Sequence, residues 1–220
     1  MNRTIAALSI LISLSTMGCG SGILIPPATQ LLILGNSLTY HSQDLSIGWS
    51  GDWGMAASAE NKDFAHLTAT ALHLPLTRFN IASLETTPDQ APSIIPPVAS
   101  YINATTDVIV ELGDNVVPTP AGVAGFQLAY HQLMASARPS RSITCTSTFW
   151  QNDLVDAVIK QECFAVGGQY IYIGDIPDEP ANTDAANNTF TDPAVARHPQ
   201  DWSMQEISRR LLVEFANPPN

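Results

Sequence analysis

The sequence predicts an α/β fold, a three-layer α/β/α arrangement around a five-stranded parallel sheet. Short apolar runs at 30–34, 76–82, 107–112, 142–149 and 169–173 are nearly continuous in hydrophobicity and rich in β-branched residues. That pattern suits strands buried on both faces. Segments of helical character lie between or after them, at 56–72, 122–137, 152–166 and 201–215. Strands alternating with helices give βαβ units and a sheet covered on both sides. With 220 residues, 45% of them apolar, the chain is long enough for one ordinary domain with a substantial core but hardly for two domains.

Each element has a local reason. In the last helical segment Trp202, Ile207, Leu211 and Phe215 fall on one face, while Arg209, Arg210 and Glu214 fall largely outside it. The stretch 88–97 is rich in proline and reads as a loop or a broken helix. Residues 177–199 form a long polar loop of Asp, Asn, Thr and Pro, ending next to His198. A loop of that length in a compact domain is usually functional or mobile.

The chain has 20 acidic and 9 basic side chains, a formal charge of -11. Such a field repels phosphate backbones and anionic lipid surfaces, which argues against nucleic acid as a partner. The first 19 residues differ from the rest: Arg3 precedes an apolar stretch too short to span a bilayer, then small residues follow. We read 1–19 as an export signal and 25–217 as the folded domain. Either Cys19 is a lipid-carrying lipoprotein cysteine, or the segment is removed by ordinary cleavage; both place the domain in the periplasm, on the outer membrane or outside the cell. Export leaves Cys145 and Cys163 as a pair in an oxidising compartment. They form a disulfide or stand as two buried thiols. No Cys/His cluster has metal-ligand spacing, and no cofactor is expected.

Three blocks carry chemistry. LLILGNSLT, residues 31–39, ends an apolar run at a glycine and delivers Ser37. VIVELGDNV, 108–116, delivers Asn115 after the third run, and Ala196-Arg197-His198-Pro199 precedes the last helix. In open parallel sheets the ligand crevice lies beyond the carboxyl ends of the strands, where these residues fall. The three blocks, in this order, resemble those of the SGNH (GDSL-type) hydrolases, and HPQDWSM is similar to the family's HPxDxGM ending. The resemblance implies a flavodoxin-like sheet and serine esterase activity. It makes Ser37 the nucleophile and His198 its base, with the Ser37 N–H and the Asn115 side-chain amide as oxyanion donors.

Two positions depart from the family pattern. RFNIASLETT, 78–87, is similar to the second block, whose glycine N–H is the third oxyanion donor, but Glu85 stands at the expected glycine. The acid usually found three residues before the histidine is replaced by Val195. Asp192 is then the candidate orienting acid; the alternative is a dyad in which a backbone carbonyl orients His198. Asn36, Trp49 and Trp53 are the candidates for contacting substrate. The tryptophans either line a cleft, stacking on sugar rings or acyl groups, or anchor a loop. A short acyl group on a carbohydrate is the expected substrate. The rivals are a non-catalytic carbohydrate- or cell-wall-binding lipoprotein and an acyltransferase.

Overall fold

The computed structural model describes residues 26–178 and 190–216. The expected export signal 1–19, Cys19, and much of the polar loop before His198 lie outside the described residues. Among those described, no helix is long and apolar enough to cross a membrane.

Five parallel strands form one sheet in the order β2-β1-β3-β4-β5. They are β1 (Gln30–Gly35), β2 (Leu76–Asn80), β3 (Thr106–Glu111), β4 (Ser142–Thr146) and β5 (Gln169–Ile171). Alternation within the central strands divides the interior into two cores. Leu32, Leu34, Val108, Val110, Ile143 and Cys145 face one side, under α3 (Ala91–Ala99), α4 (Pro120–Ala137) and α5 (Asp153–Ala165). Leu31, Ile33, Ile109 and Ile171 face the other, under α1 (Phe64–Leu72) and α7 (Asp201–Ala216). The expected three-layer α/β/α fold is the observed one.

Side-chain caps set where the helices begin. Asp63 accepts from the His66 N–H at the start of α1, Thr119 from Gly122 at α4, and Asn152 from Val155 at α5. The helix expected over 56–72 therefore starts only at Phe64. Before it, Ala56 takes a positive φ of 72° and breaks any helical run. The proline-rich stretch is a single turn, Pro88–Gln90, running into α3, which carries Pro96 and Pro97 inside it.

Strands β2 and β3 flank β1, so the chain reverses its winding direction at β1 and β3. Their carboxyl ends form the switch-point crevice of this sheet order. Ser37 follows β1 and Asn115 follows β3.

Cys145 on β4 and Cys163 on α5 are joined by a disulfide, with Cα atoms 6.3 Å apart. It closes a loop with a sequence separation of 18, for which loop-closure entropy predicts a stabilisation of about 3 kcal/mol. A Cys145→Ala/Cys163→Ala variant should lose about that much unfolding free energy in urea denaturation. Dithiothreitol should then lower the wild-type midpoint and leave the variant's unchanged.

Candidate active site

Ser37 sits in the turn leaving β1. Gly35 just before it passes so close to its surroundings that an added Cβ would lie 2.0 Å from Thr39 Oγ1 and 2.8 Å from the Glu111 carbonyl. Only glycine fits that crossing. Asn36 then folds its own side chain back, Oδ1 accepting from the Leu38 N–H at 2.9 Å. The Met55 N–H donates to the Ser37 carbonyl at 2.9 Å, which fixes the turn from the opposite side.

The structure brings Ser37 and His198 together: Ser37 Oγ lies 2.8 Å from His198 Nε2. On the other side of the ring, Nδ1 lies 2.7 Å from the Ala194 carbonyl oxygen. A carbonyl only accepts, so Nδ1 carries the proton and Nε2 is left to accept from the serine hydroxyl. Burial holds the imidazole's pKa down at about 4, partly offset by the bond to Ala194 and helped by the nearby Arg197 charge. The ring is therefore neutral at neutral pH. Trp150, just past β4, meets it edge-on with centroids 5.3 Å apart, and Arg197 stacks over Trp150 at 4.1 Å.

Asp192 does not reach His198. Its carboxylate caps the short helix α6 (Pro193–Ala196), accepting from the Ala194 N–H at 2.7 Å. Three residues before the histidine, Val195 is fully buried in an apolar cluster with Trp49 and Met55. A carboxylate there would be desolvated among hydrocarbons. Asp201 is engaged with Ser58, through both the backbone N–H and the hydroxyl.

Glu85 does not present a backbone N–H to the crevice. It lies in the short helix α2 (Ser83–Thr86), and its N–H bonds to the Ala82 carbonyl at 2.9 Å. Its side chain is the feature that sequence reasoning missed. The buried carboxylate takes the Gly113 N–H and, at 3.2 Å, Asn36 Nδ2 on Oε1, and Asn115 Nδ2 at 2.5 Å on Oε2. Gly113 has φ 128°, and a side chain there would also strike Thr148 and Val155.

Asn36 is likewise not a substrate contact. It is fully buried, and its Nδ2 lies 3.2 Å from each of Glu85 Oε1, Glu111 Oε1 and Asp114 Oδ2. Thr39 Oγ1 donates to Glu111 Oε2 at 3.0 Å, and Asp114 Oδ1 accepts from the Phe149 and Trp150 N–H groups. Among the described residues no lysine or arginine bonds to these three carboxylates. Burial pushes Glu85 up to about 7, with the bonds to Asn115 and Gly113 opposing it. Glu111 is raised well above the usual carboxylate range by burial and then by Asp114, so Glu111 keeps its proton and shares it with Asp114.

The two tryptophans separate. Trp49 is 1% exposed, stacks edge-on with Trp53, packs on Phe190 and donates to the His41 carbonyl, so it anchors the loop. Trp53 is half-buried, with Nε1 donating to the Ala57 carbonyl at 2.8 Å. The tryptophan beside His198 is Trp150, whose only signal in the sequence is its place just beyond the fourth strand. Among the described residues no group of His, Cys, Asp and Glu is arranged to hold a metal ion.

The carboxylate cluster makes Asn36→Asp a sensitive probe. The substitution removes the shared donor and adds a fourth acid, which should cost about 2–4 kcal/mol of stability at pH 7. The native acids have pKa values raised above their unfolded ones, so stability is fully present below about 4.5 and declines as pH rises through about 7. Urea unfolding at pH 5 and pH 8 should show a steeper decline for Asn36→Asp than for wild type.

No family model matches this chain, and no curated protein matches it. Solved structures do share its fold. One is a carbohydrate esterase whose active site "displays divergent catalytic and non-catalytic binding functions", 12% identical over 89% of this chain and 71% of that one, with a TM-score of 0.55. Another is a family two carbohydrate esterase from Clostridium thermocellum in complex with cellohexaose, 17% identical over 87% of this chain, TM-score 0.54. This chain spans 65% of that esterase's length. A GDSL-like lipase from Bacteroides uniformis is 13% identical over 86% of this chain and 96% of its own, TM-score 0.53. The chain thus has the five-stranded parallel α/β fold of carbohydrate esterases and GDSL-like lipases.

Proposed function

We propose that this protein is an exported SGNH-type serine hydrolase that removes a short acyl group from a carbohydrate through an acyl-enzyme. The observation that carries the reading is the contact of 2.8 Å between Ser37 Oγ and a His198 whose other nitrogen is already committed to a backbone carbonyl. The likeness in fold to carbohydrate esterases supports the substrate class.

In this reading Ser37 Oγ attacks the acyl carbon while His198 Nε2 takes the hydroxyl proton. The oxyanion forms against the Ser37 N–H and the second hydrogen of Asn115 Nδ2, the first being held by Glu85. The tetrahedral species collapses, and the sugar oxygen leaves with the proton from Nε2. Water then attacks the acyl-serine with His198 as base, and the carboxylic acid departs. Throughout, Ala194 keeps the ring's tautomer and angle, so the pair operates as a Ser–His dyad.

Acetylated oligosaccharides and p-nitrophenyl acetate test the activity. Ser37→Ala and His198→Ala should each lower kcat/KM on the order of 10³-fold or more; undiminished hydrolysis by Ser37→Ala would sink the nucleophile. Asp192→Asn should keep kcat within about twofold of wild type, because asparagine caps a helix as well as aspartate does. A loss of 10²-fold or more would restore Asp192 as the orienting acid.

A further inference from the structure

The buried carboxylate of Glu85 is not used by the chemistry above, yet it holds the residue assigned to the oxyanion. It lies in α2, a separate segment from the loop that bears Asn115, and bridges three donors from two other segments. Gly113 and Asn115 come from the loop after β3, and Asn36 from the turn beside the nucleophile. Only a group that accepts on both oxygens satisfies this set, since every partner aimed at it is an N–H. We propose that Glu85 is a positioning residue for the oxyanion site: its ionised carboxylate fixes the Asn115 amide with one hydrogen inward and the other toward the substrate carbonyl. The inference rests on the proposed hydrolase reading and concerns the same site.

The alternative states of Glu85 are informative. A proton on either oxygen converts an acceptor into a donor. If it sits on Oε2, it faces the Asn115 NH2, and the amide must turn its oxygen inward and its nitrogen away from where Glu85 placed it. A glutamine has the same defect permanently, because its oxygen suits the Gly113 and Asn36 donors and leaves its NH2 against Asn115.

The groups facing Glu85 make such a proton accessible. The acids that act on it are Glu111 and Asp114, on β3 and the loop that follows. Of the elements packed on α2, the Pro88–Gln90 turn carries the exposed Asp89, and α4 carries the buried Tyr130 and a His131 that is paired with Glu162 instead. None of these carboxylates has a lysine or arginine bonded to it among the described residues. Burial places the Glu85 pKa at about 7, so the proton exchanges in the range where an esterase is assayed. His198 titrates well below, at about 4.

The experiment is a double-mutant cycle with pH profiles on p-nitrophenyl acetate and an acetylated oligosaccharide, using Glu85→Gln, Asn115→Ala, the double variant and Ser37→Ala. Asn115→Ala should lower kcat about 10²–10³-fold. Glu85→Gln should lower it about 10–100-fold with KM changed less than about threefold, and should add nothing in the Asn115→Ala background. Wild-type kcat should fall as pH drops through about 7, and that limb should be missing from Glu85→Gln. Should Glu85→Gln melt below the assay temperature, Glu85→Asp replaces it. Its carboxylate is one methylene short of Asn115, so kcat should fall while the limb persists.

Effects that multiply in the double variant would overturn the positioning role, as would a Glu85→Asp rate equal to wild type or a limb that survives Glu85→Gln unchanged. A Ser37→Ala variant that hydrolyses at the wild-type rate, or a wild type without activity, overturns the hydrolase reading and this inference with it. An inactive Ser37→Ala beside multiplying effects overturns the positioning role alone.

Discussion

One side-chain amide ties the whole carboxyl edge of the sheet together. Asn36 Nδ2 stands 3.2 Å from carboxylate oxygens of Glu85, Glu111 and Asp114, and it has two hydrogens for the three. With no lysine or arginine bonded to them among the described residues, these acids coexist in the interior because they share this amide, the Thr39 hydroxyl, backbone N–H groups and a proton of their own. Each carboxylate in turn fixes another piece of the edge. Glu85 holds the loop after β3, Glu111 holds the turn that carries Ser37, and Asp114 holds the chain at Phe149 and Trp150. Through Trp150 the same network reaches the face of His198. The residues around Ser37 therefore sit on one polar framework, beneath which the two apolar cores lie separately.

Topology explains why so small a framework suffices. Because the sheet reverses at β1 and β3, the turns after these two strands lead in opposite directions, the place where sheets of this kind hold their ligands. Ser37 and Asn115 come from those two turns, and α2, arriving from β2, inserts Glu85 between them. The histidine arrives from the far end of the chain on α6 and the turn that follows, held against the crevice by Val195 in the cluster of Trp49 and Met55. Its low pKa follows from that packing: a ring 8% exposed with a neutral carbonyl for a partner has little to stabilise its charged form.

Periodicity carried most of the fold. All five strands lie within a residue or a few of where apolar runs place them. The inner three, β1, β3 and β4, are buried on both faces and leave a continuous apolar trace, while the edge strands β2 and β5 are only partly covered. The boundary at α1 was not legible, since Ala56 is compatible with a helix and nothing in the sequence announces its positive φ. Ser37, Asn115 and His198 were legible as ordered blocks at strand ends. The roles of Asn36, Glu85 and Trp49 were not, because each depends on what lies across the sheet. A polar residue in a turn reads the same whether it faces solvent or three acids. Trp49 reads the same whether it is free to stack on a ligand or, as here, is enclosed by Phe190 and Val195 from a segment distant in sequence. The sequence pattern points to the Glu85 backbone, whereas its side chain makes the contacts.

The bond from His198 Nδ1 to the Ala194 carbonyl has a consequence for how such a site endures sequence change. A main-chain oxygen belongs to every amino acid, so no substitution at position 194 removes the acceptor, provided the short helix keeps its course. Position 195 is thereby released from any need for an acid and can serve packing instead. The burden passes from the chemistry of one residue to the geometry of one turn. A contact specified in this way is written in the course of a short helix and leaves no letter of its own at position 195.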